Sequence, residues 1–250
     1  MTRRVNSDLL LVGSLPADST EAAFRSAGQF FGDLVFALPD GETGPRAGWV
    51  SYERERLVRP NEGIVTLQET ESPTGLPRHA YETQDLERVL AWTSEGAWER
   101  FAGPVTRLTR LIPSEALVGY HLCYGTFPEW PMYEARDMDL LVRMANFAVA
   151  NSGRTVDWLH LAGPRYLRSE DRSFFRPLVD LEPLDARVFL GIVLPLDGAA
   201  GLRRRVDTAS RYISDFGVAM YCGFGRQPGQ DGTETMREHA DVVRTVRTAG

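Results

Sequence analysis

In the stretch Ala116 to Phe127, ALVGYHLCYGTF, an apolar run of strand-forming residues ends in His121, Leu122 and Cys123. Side chains two apart on a strand point to the same face, so His121 and Cys123 leave the backbone side by side. The chain has one other cysteine, Cys222, which also ends an apolar run, FGVAMYC, before GFGR. An imidazole and two thiolates suit zinc and fill three of its four tetrahedral positions, leaving one for water or a substrate atom. The same residues also suit a plain core, because cysteine is among the most buried residue types and a lone His-x-Cys pair discriminates poorly.

Other polar residues stand where apolar runs end. Leu34 to Leu38 runs into Pro39-Asp40-Gly41-Glu42-Thr43-Gly44-Pro45-Arg46. That segment reads either as a Gly/Pro turn with solvated acids or as two carboxylates, Asp40 and Glu42, presented at a strand exit. His160, in VDWLHL, is open to three readings: a further metal ligand, a base, or a neutral core histidine. Arg46, Arg165 and Arg226 each follow such a run. Guanidinium groups there would clamp a carboxylate substrate bidentately or simply meet solvent.

The elements that must carry these residues follow from apolar periodicity. Residues 8 to 14, DLLLVGS, form a short strand, followed by a helix from about Ser19 to Phe31 and a second short strand from Leu34 to Leu38. Ile64 to Leu67 is a further short apolar run. Residues 68 to 115 contain Pro73, Pro77, Pro104 and Pro113 and give helical pieces around 84 to 101 and 104 to 111, with no buried strand between them. Beyond the central strand come a helix from Asp137 to Ala150, a strand from Val156 to Leu161, a linker and a strand from Arg187 to Leu194. A helix from about Gly201 to Asp215, the strand ending at Cys222 and a polar helix from Thr233 to Thr248 follow. Strands apolar on both faces and alternating with helices imply a parallel sheet covered by helices. Their polar and Gly/Pro residues gather at the C-terminal ends, the active-site face of a (β/α) barrel.

At 250 residues with 43% hydrophobic side chains, the chain suits a single domain spanning 1 to 250 with a sizeable core. A net charge of −6, a pI near 5.4 and the lack of a basic stripe or a phosphate-cradling loop argue against nucleic acid as a partner. All 28 basic residues are arginine, which excludes lysine Schiff-base chemistry. The N-terminal apolar run is too short for a signal segment or a membrane span, so a cytoplasmic protein with reduced thiols is expected.

Taken together and in order, Gly13-Ser14-Leu15-Pro16, Gly41-Glu42, Gly48-Trp49-Val50-Ser51-Tyr52 with Val58-Arg59-Pro60, His121-Leu122-Cys123-Tyr124 and Cys222-Gly223 resemble the catalytic domain of cobalamin-independent methionine synthase. More broadly they resemble the superfamily that also holds uroporphyrinogen decarboxylase. The resemblance implies a TIM-type barrel that holds zinc through His121, Cys123 and Cys222 and activates a thiol toward an alkyl donor. It places Glu42 where the family meets a substrate ammonium. The expected substrate contacts are Ser14, Asp40, Glu42, Trp49 and Arg165, and the expected catalytic residues are Glu42, His160 and Arg226. Two departures stand out. Ala162 occupies the position of a zinc-ligating glutamate, and residues 68 to 115 are too short for two βα units, so an incomplete barrel with a helical insert is expected.

The expected function is a zinc-dependent transferase that activates a thiol or similar soft nucleophile, with a small-molecule substrate different from that of methionine synthase. A metal-independent lyase or decarboxylase using the arginines and histidines, and a non-catalytic binding relative, are the alternatives. The insert, with Trp92, Trp98, Phe101, Leu108 and Leu111, carries enough apolar surface to plug the barrel or to form a homodimer, and the homodimer is the expectation.

Overall fold

Short apolar segments bounded by turn residues form six strands: β1 (Leu9–Leu10), β2 (Val35–Ala37), β3 (Gly119–Leu122), β4 (Trp158–Ala162), β5 (Arg187–Val193) and β6 (Phe216–Met220). The computed structural model describes residues 9–13, 15–38, 43, 95–124, 135–164, 171–182, 185–194, 197–224 and 232–247. All the strand pairs are parallel, in the order β2-β1-β6-β5-β4-β3. Parallel neighbours need crossover connections, and helices supply them. They are α1 (Thr20–Phe31), α2 (Glu95–Arg110), α3 (Asp139–Asn151), the short α4 (Arg172–Phe175) with a following 3-10 turn (Arg176–Asp180), α5 (Gly198–Ala209) and α6 (Gly232–Arg247). The architecture is therefore α/β, a six-stranded parallel sheet flanked by helices. Among the described residues β2 and β3 are its edges, so these strands do not close into a barrel; an incomplete barrel was expected from the sequence, and the chain joining the two edges includes 39–42 and 44–94, outside the described residues.

Alternation along the strands separates two faces. Leu9, Leu11, Leu159, Leu161, Leu190 and Ile192 belong to a large core that also takes Ala23, Ala27 and Phe31 of α1, Leu141 and Ala145 of α3, Leu202 of α5 and Met236 and Ala240 of α6. Leu10, Val12, Phe189 and Ala219 form a second, smaller cluster with Phe36, Ala37 and Trp158, and no residue of a described helix belongs to it. The helical stripes are therefore spent on one face of the sheet. In α1 the stripe is a four-residue repeat, Ala23, Ala27, Phe31. The same helix starts where the Ser19 hydroxyl accepts from the Ala22 N–H at 3.2 Å and stops at Gly32, whose φ of 54° suits glycine.

Two segments differ from the sequence reading. Instead of breaking at Pro104, the insert forms one helix, α2, through that residue. Docking on α3 compensates for the lost backbone bond. Thr106 Oγ1 donates to Asn151 O at 2.6 Å, the Trp98 ring lies 5.0 Å from that of Phe147, and the Arg143 guanidinium sits over the indole. Trp98 thus packs inward while Leu108 and Leu111 stay exposed. Residues 84–94, with Trp92, and the short run Ile64 to Leu67 lie outside the described residues. The expected linker before β5 is partly helical: Asp171 Oδ1 caps α4 by accepting from Ser173 N at 2.8 Å, and Phe174, Phe175 and Leu178 are buried below it.

The exit of β5 is held by a buried guanidinium. Arg205 of α5, 0% exposed, donates to Ile192 O at 2.7 Å, to Leu194 O at 3.2 Å, and bidentately to Asp197 at 2.7 and 2.8 Å. Gly201 makes this seat, since a Cβ there would fall 1.9 Å from the Asp197 carboxyl carbon. Replacing Arg205 leaves two strand-end carbonyls and a half-buried carboxylate without these donors. Arg205→Met is expected to cost about 3 kcal/mol, read as a lower urea midpoint, because breaking a buried pair costs more than the pair contributes.

His239 of α6 donates from Nδ1 to Thr235 O at 2.7 Å and packs edge-on against Phe224, with centroids 4.9 Å apart. Burial lowers its pKa from 6.5 to about 4. Between those values the unfolded chain binds a proton that the folded chain does not, so stability falls as pH drops from about 6.5 toward 4. His239 alone is expected to remove about 2 kcal/mol between pH 7 and pH 5. Urea unfolding at both pH values checks this: His239→Gln should lose correspondingly less than wild type over the same interval.

Candidate metal centre

β3 and β6 are separated by β4 and β5. Three spacings of about 4.8 Å would hold them about 14 Å apart in a flat sheet. Instead, His121 Nε2 lies 3.6 Å from Cys222 Sγ, and the ligand atoms of His121, Cys123 and Cys222 all fall within 4.8 Å of one another. The sheet curls enough for the ends of β3 and β6 to face each other across its polar end. The two cysteines are thiols, not a disulfide.

The glycines at these strand exits are where the backbones meet. Gly13, past β1, has φ 68°, and a Cβ on it would lie 2.9 Å from the Cα and N of Gly223. The run Gly13-Ser14 therefore begins with a residue that braces the backbone next to Cys222. On β5, a Cβ on Gly191 would lie 3.0 Å from His160 Nε2, 3.0 Å from Tyr221 Cα and 3.1 Å from Ala162 Cα.

His160 pairs in register with His121 on the neighbouring strand. Its Nδ1 is 2.9 Å from His121 Nδ1 and its Nε2 is 2.8 Å from Met220 O; the rings stack with centroids 4.6 Å apart, and the residue is 0% exposed. Burial first, then the charge of His121, holds its pKa well below the usual 6.5, so it is a neutral imidazole. With both nitrogens engaged by protein, His160 lies against His121 and outside the three-donor group.

Hydrogen bonding with Cys123, and then burial, pushes the Cys222 thiol up, with His121 pulling the other way. Burial, then Cys222, likewise raises the Tyr221 phenol. A metal would have to displace the Cys222 proton on binding. The 3.6 Å between His121 Nε2 and Cys222 Sγ equals the N···S edge of about 3.6 Å in a tetrahedral zinc site, and the three donors together could hold a metal ion. Among the described residues no fourth His, Cys, Asp or Glu joins the group.

Of the residues singled out from the sequence, the structure brings His121, Cys123, Cys222 and His160 together. Ser14, Asp40, Glu42, Arg46, Trp49, Arg165 and Arg226 lie outside the described residues. Sequence reasoning missed Gly191 as part of the site, whereas Gly223 stood in the Cys222-Gly223 motif. A glycine inside the otherwise apolar RVFLGIVL was the available signal, since it marks a close approach. Compared with family models, with curated proteins and with solved structures, the chain gives no match.

Gly13 tests whether strand-exit packing holds the site. A methyl at Gly13 meets the Gly223 backbone in a left-handed conformation, so Gly13→Ala is expected to cost more than about 1 kcal/mol, a fall of at least 2–4 °C in Tm. Thermal unfolding by circular dichroism measures it, and Cys222 should react faster with a thiol reagent in the variant.

Proposed function

We propose that the protein is a zinc-dependent transferase that activates a thiol or similar soft nucleophile for alkyl transfer to a small molecule. The observation that carries this reading is the convergence of the ligand atoms of His121, Cys123 and Cys222 within 4.8 Å at the ends of two strands that are not neighbours. A core cysteine needs no such convergence. Zinc held there would supply the Lewis acidity that makes a substrate thiol a thiolate at neutral pH.

The chain's own groups do the rest. Two thiolates and a neutral imidazole give a soft donor set that favours zinc over magnesium or calcium. With three protein donors among the described residues, the fourth direction is left for substrate, the pattern of catalytic rather than structural zinc. In the transfer the substrate thiol gives up its proton, its sulfur pair forms the new bond to carbon, and the donor leaves with the old bonding pair.

The strand order supports a barrel-like relationship. The first strand pairs with the last, and β3 to β6 follow in sequence, which is the order of a (β/α) barrel opened between β2 and β3. One-sided helices suit the same reading, as do the residues that resemble the methionine synthase superfamily. No helix among the described residues is long and apolar enough to cross a membrane, and we read the thiol pair as that of a cytoplasmic protein. Glu42 and Asp40 on the ligand's cationic group, Arg165 and Arg226 on its carboxylates, and a homodimer through the insert complete the proposal.

Protein purified without chelator is expected to carry stoichiometric zinc by elemental analysis. Cys123→Ser and Cys222→Ser should each lower that content sharply while the circular dichroism spectrum stays that of a folded protein, and thiols should raise the Tm only of the zinc-loaded form. Negligible zinc in wild type at micromolar supply, or equal content in both variants, overturns the metal reading.

A further inference from the structure

His160 and Gly191 point to a device that sets the donor nitrogen of His121. We infer that His160, seated in the space that Gly191 leaves open, fixes His121 in the tautomer with its proton on Nδ1 and a lone pair on Nε2, aimed at the cysteines. This rests on the metal reading for its purpose, though not for its geometry.

The hydrogen positions follow from what each atom is able to do. A backbone carbonyl only accepts, so the 2.8 Å contact to Met220 O requires a proton on His160 Nε2. In a neutral ring Nδ1 is then a lone pair. The 2.9 Å contact to His121 must therefore run from His121 Nδ1–H to His160 Nδ1. That leaves His121 Nε2 unprotonated, on the side where Cys222 Sγ lies 3.6 Å away. Reversing the pair would set two lone pairs against each other at the Met220 carbonyl. Which imidazole nitrogen can ligate is settled by the bond the other nitrogen makes.

The relay depends on reaching past a strand. Met220 belongs to β6 and His160 to β4, with β5 between them. A flat sheet puts about 9.6 Å between those backbones, and any side chain on the intervening strand at this level would fill the path. Gly191 removes it. Its missing Cβ would press on His160 Nε2 at 3.0 Å and on both neighbouring backbones, Tyr221 Cα at 3.0 Å and Ala162 Cα at 3.1 Å, so an added methyl requires His160 or those backbones to give way. Gly191 thus acts through His160, and His160 through His121.

The test compares wild type with His160→Leu, His160→Gln and Gly191→Ala. Nitrogen-15 NMR of metal-free, histidine-labelled protein reads the tautomer of His121, and competition with a chromophoric chelator reads the affinity for zinc alone. Wild-type His121 is expected with Nδ1 protonated and Nε2 bare. In His160→Leu and Gly191→Ala it should shift toward the Nε2–H form, and zinc affinity should fall about ten- to hundred-fold. Glutamine, which can accept at one end and donate at the other, should restore most of both, which a merely structural role for His160 would not predict. An Nε2–H tautomer in wild type overturns the inference, as do unchanged tautomer and affinity in Gly191→Ala. If wild type takes up no zinc yet shows the Nδ1–H form that responds to the variants, the metal reading fails and the positioning inference stands. Should His160→Leu not fold, the wild-type spectrum, His160→Gln and Gly191→Ala still decide.

Discussion

Side chains from β3 and β6 touch across two intervening strands, and everything at the polar end of the sheet depends on the curl that permits it. Curling brings inward-facing groups together and crowds the backbones that carry them. The chain meets that crowding with glycine. A Cβ on Gly163 would lie 2.7 Å from Gly191 O, whose carbonyl instead accepts from the Gly163 N–H at 3.0 Å. Gly13 and Gly223 meet in the same manner on the other side of Cys222. Small residues here are a steric requirement of the curvature, and the curvature is what turns separated donors into a cluster.

The two faces of the sheet divide the work. One face takes the helices and holds most of the apolar burial. The other carries a small apolar cluster in which Phe36 and Phe189 stack at 5.4 Å, with His160 in register beside Phe189. The polar groups therefore rest on an apolar floor and open toward the strands' carboxyl ends, where parallel α/β sheets bind their ligands. Anchoring those ends matters. Arg205 joins Ile192 O, Leu194 O and the Asp197 carboxylate from the helix side, so the β5 exit is held by a charge-assisted network.

Much of this was legible in the sequence. The period-two argument put His121 and Cys123 on one face, and the apolar runs located β3 to β6 closely because buried parallel strands are continuous in hydrophobicity. The donor cluster itself was only an inference, since no local pattern reports that strands far apart in the sheet converge. His160 was read three ways because a histidine's role lies in its partners, and one of those is a backbone carbonyl that no sequence displays. Arg203, Arg204 and Arg205 look alike in the sequence, as one solvated basic run; the first two are exposed and the third is buried under the β5 exit. The helix through Pro104 was missed because tertiary docking on α3 outweighs a local breaker.

Leu9 pairs with Val218, so a strand near the beginning of the chain waits for the last strand before it has both neighbours. Contacts so distant along the chain are slow to form, since the loop they close must lose its freedom first. The thiols share that timing: Cys123 is synthesised long before Cys222 and cannot join its partner until β6 is complete. A nascent chain released before Phe216 would hold two of the three donors on an unbraced sheet edge, exposed to adventitious metals and to mispairing with other thiols.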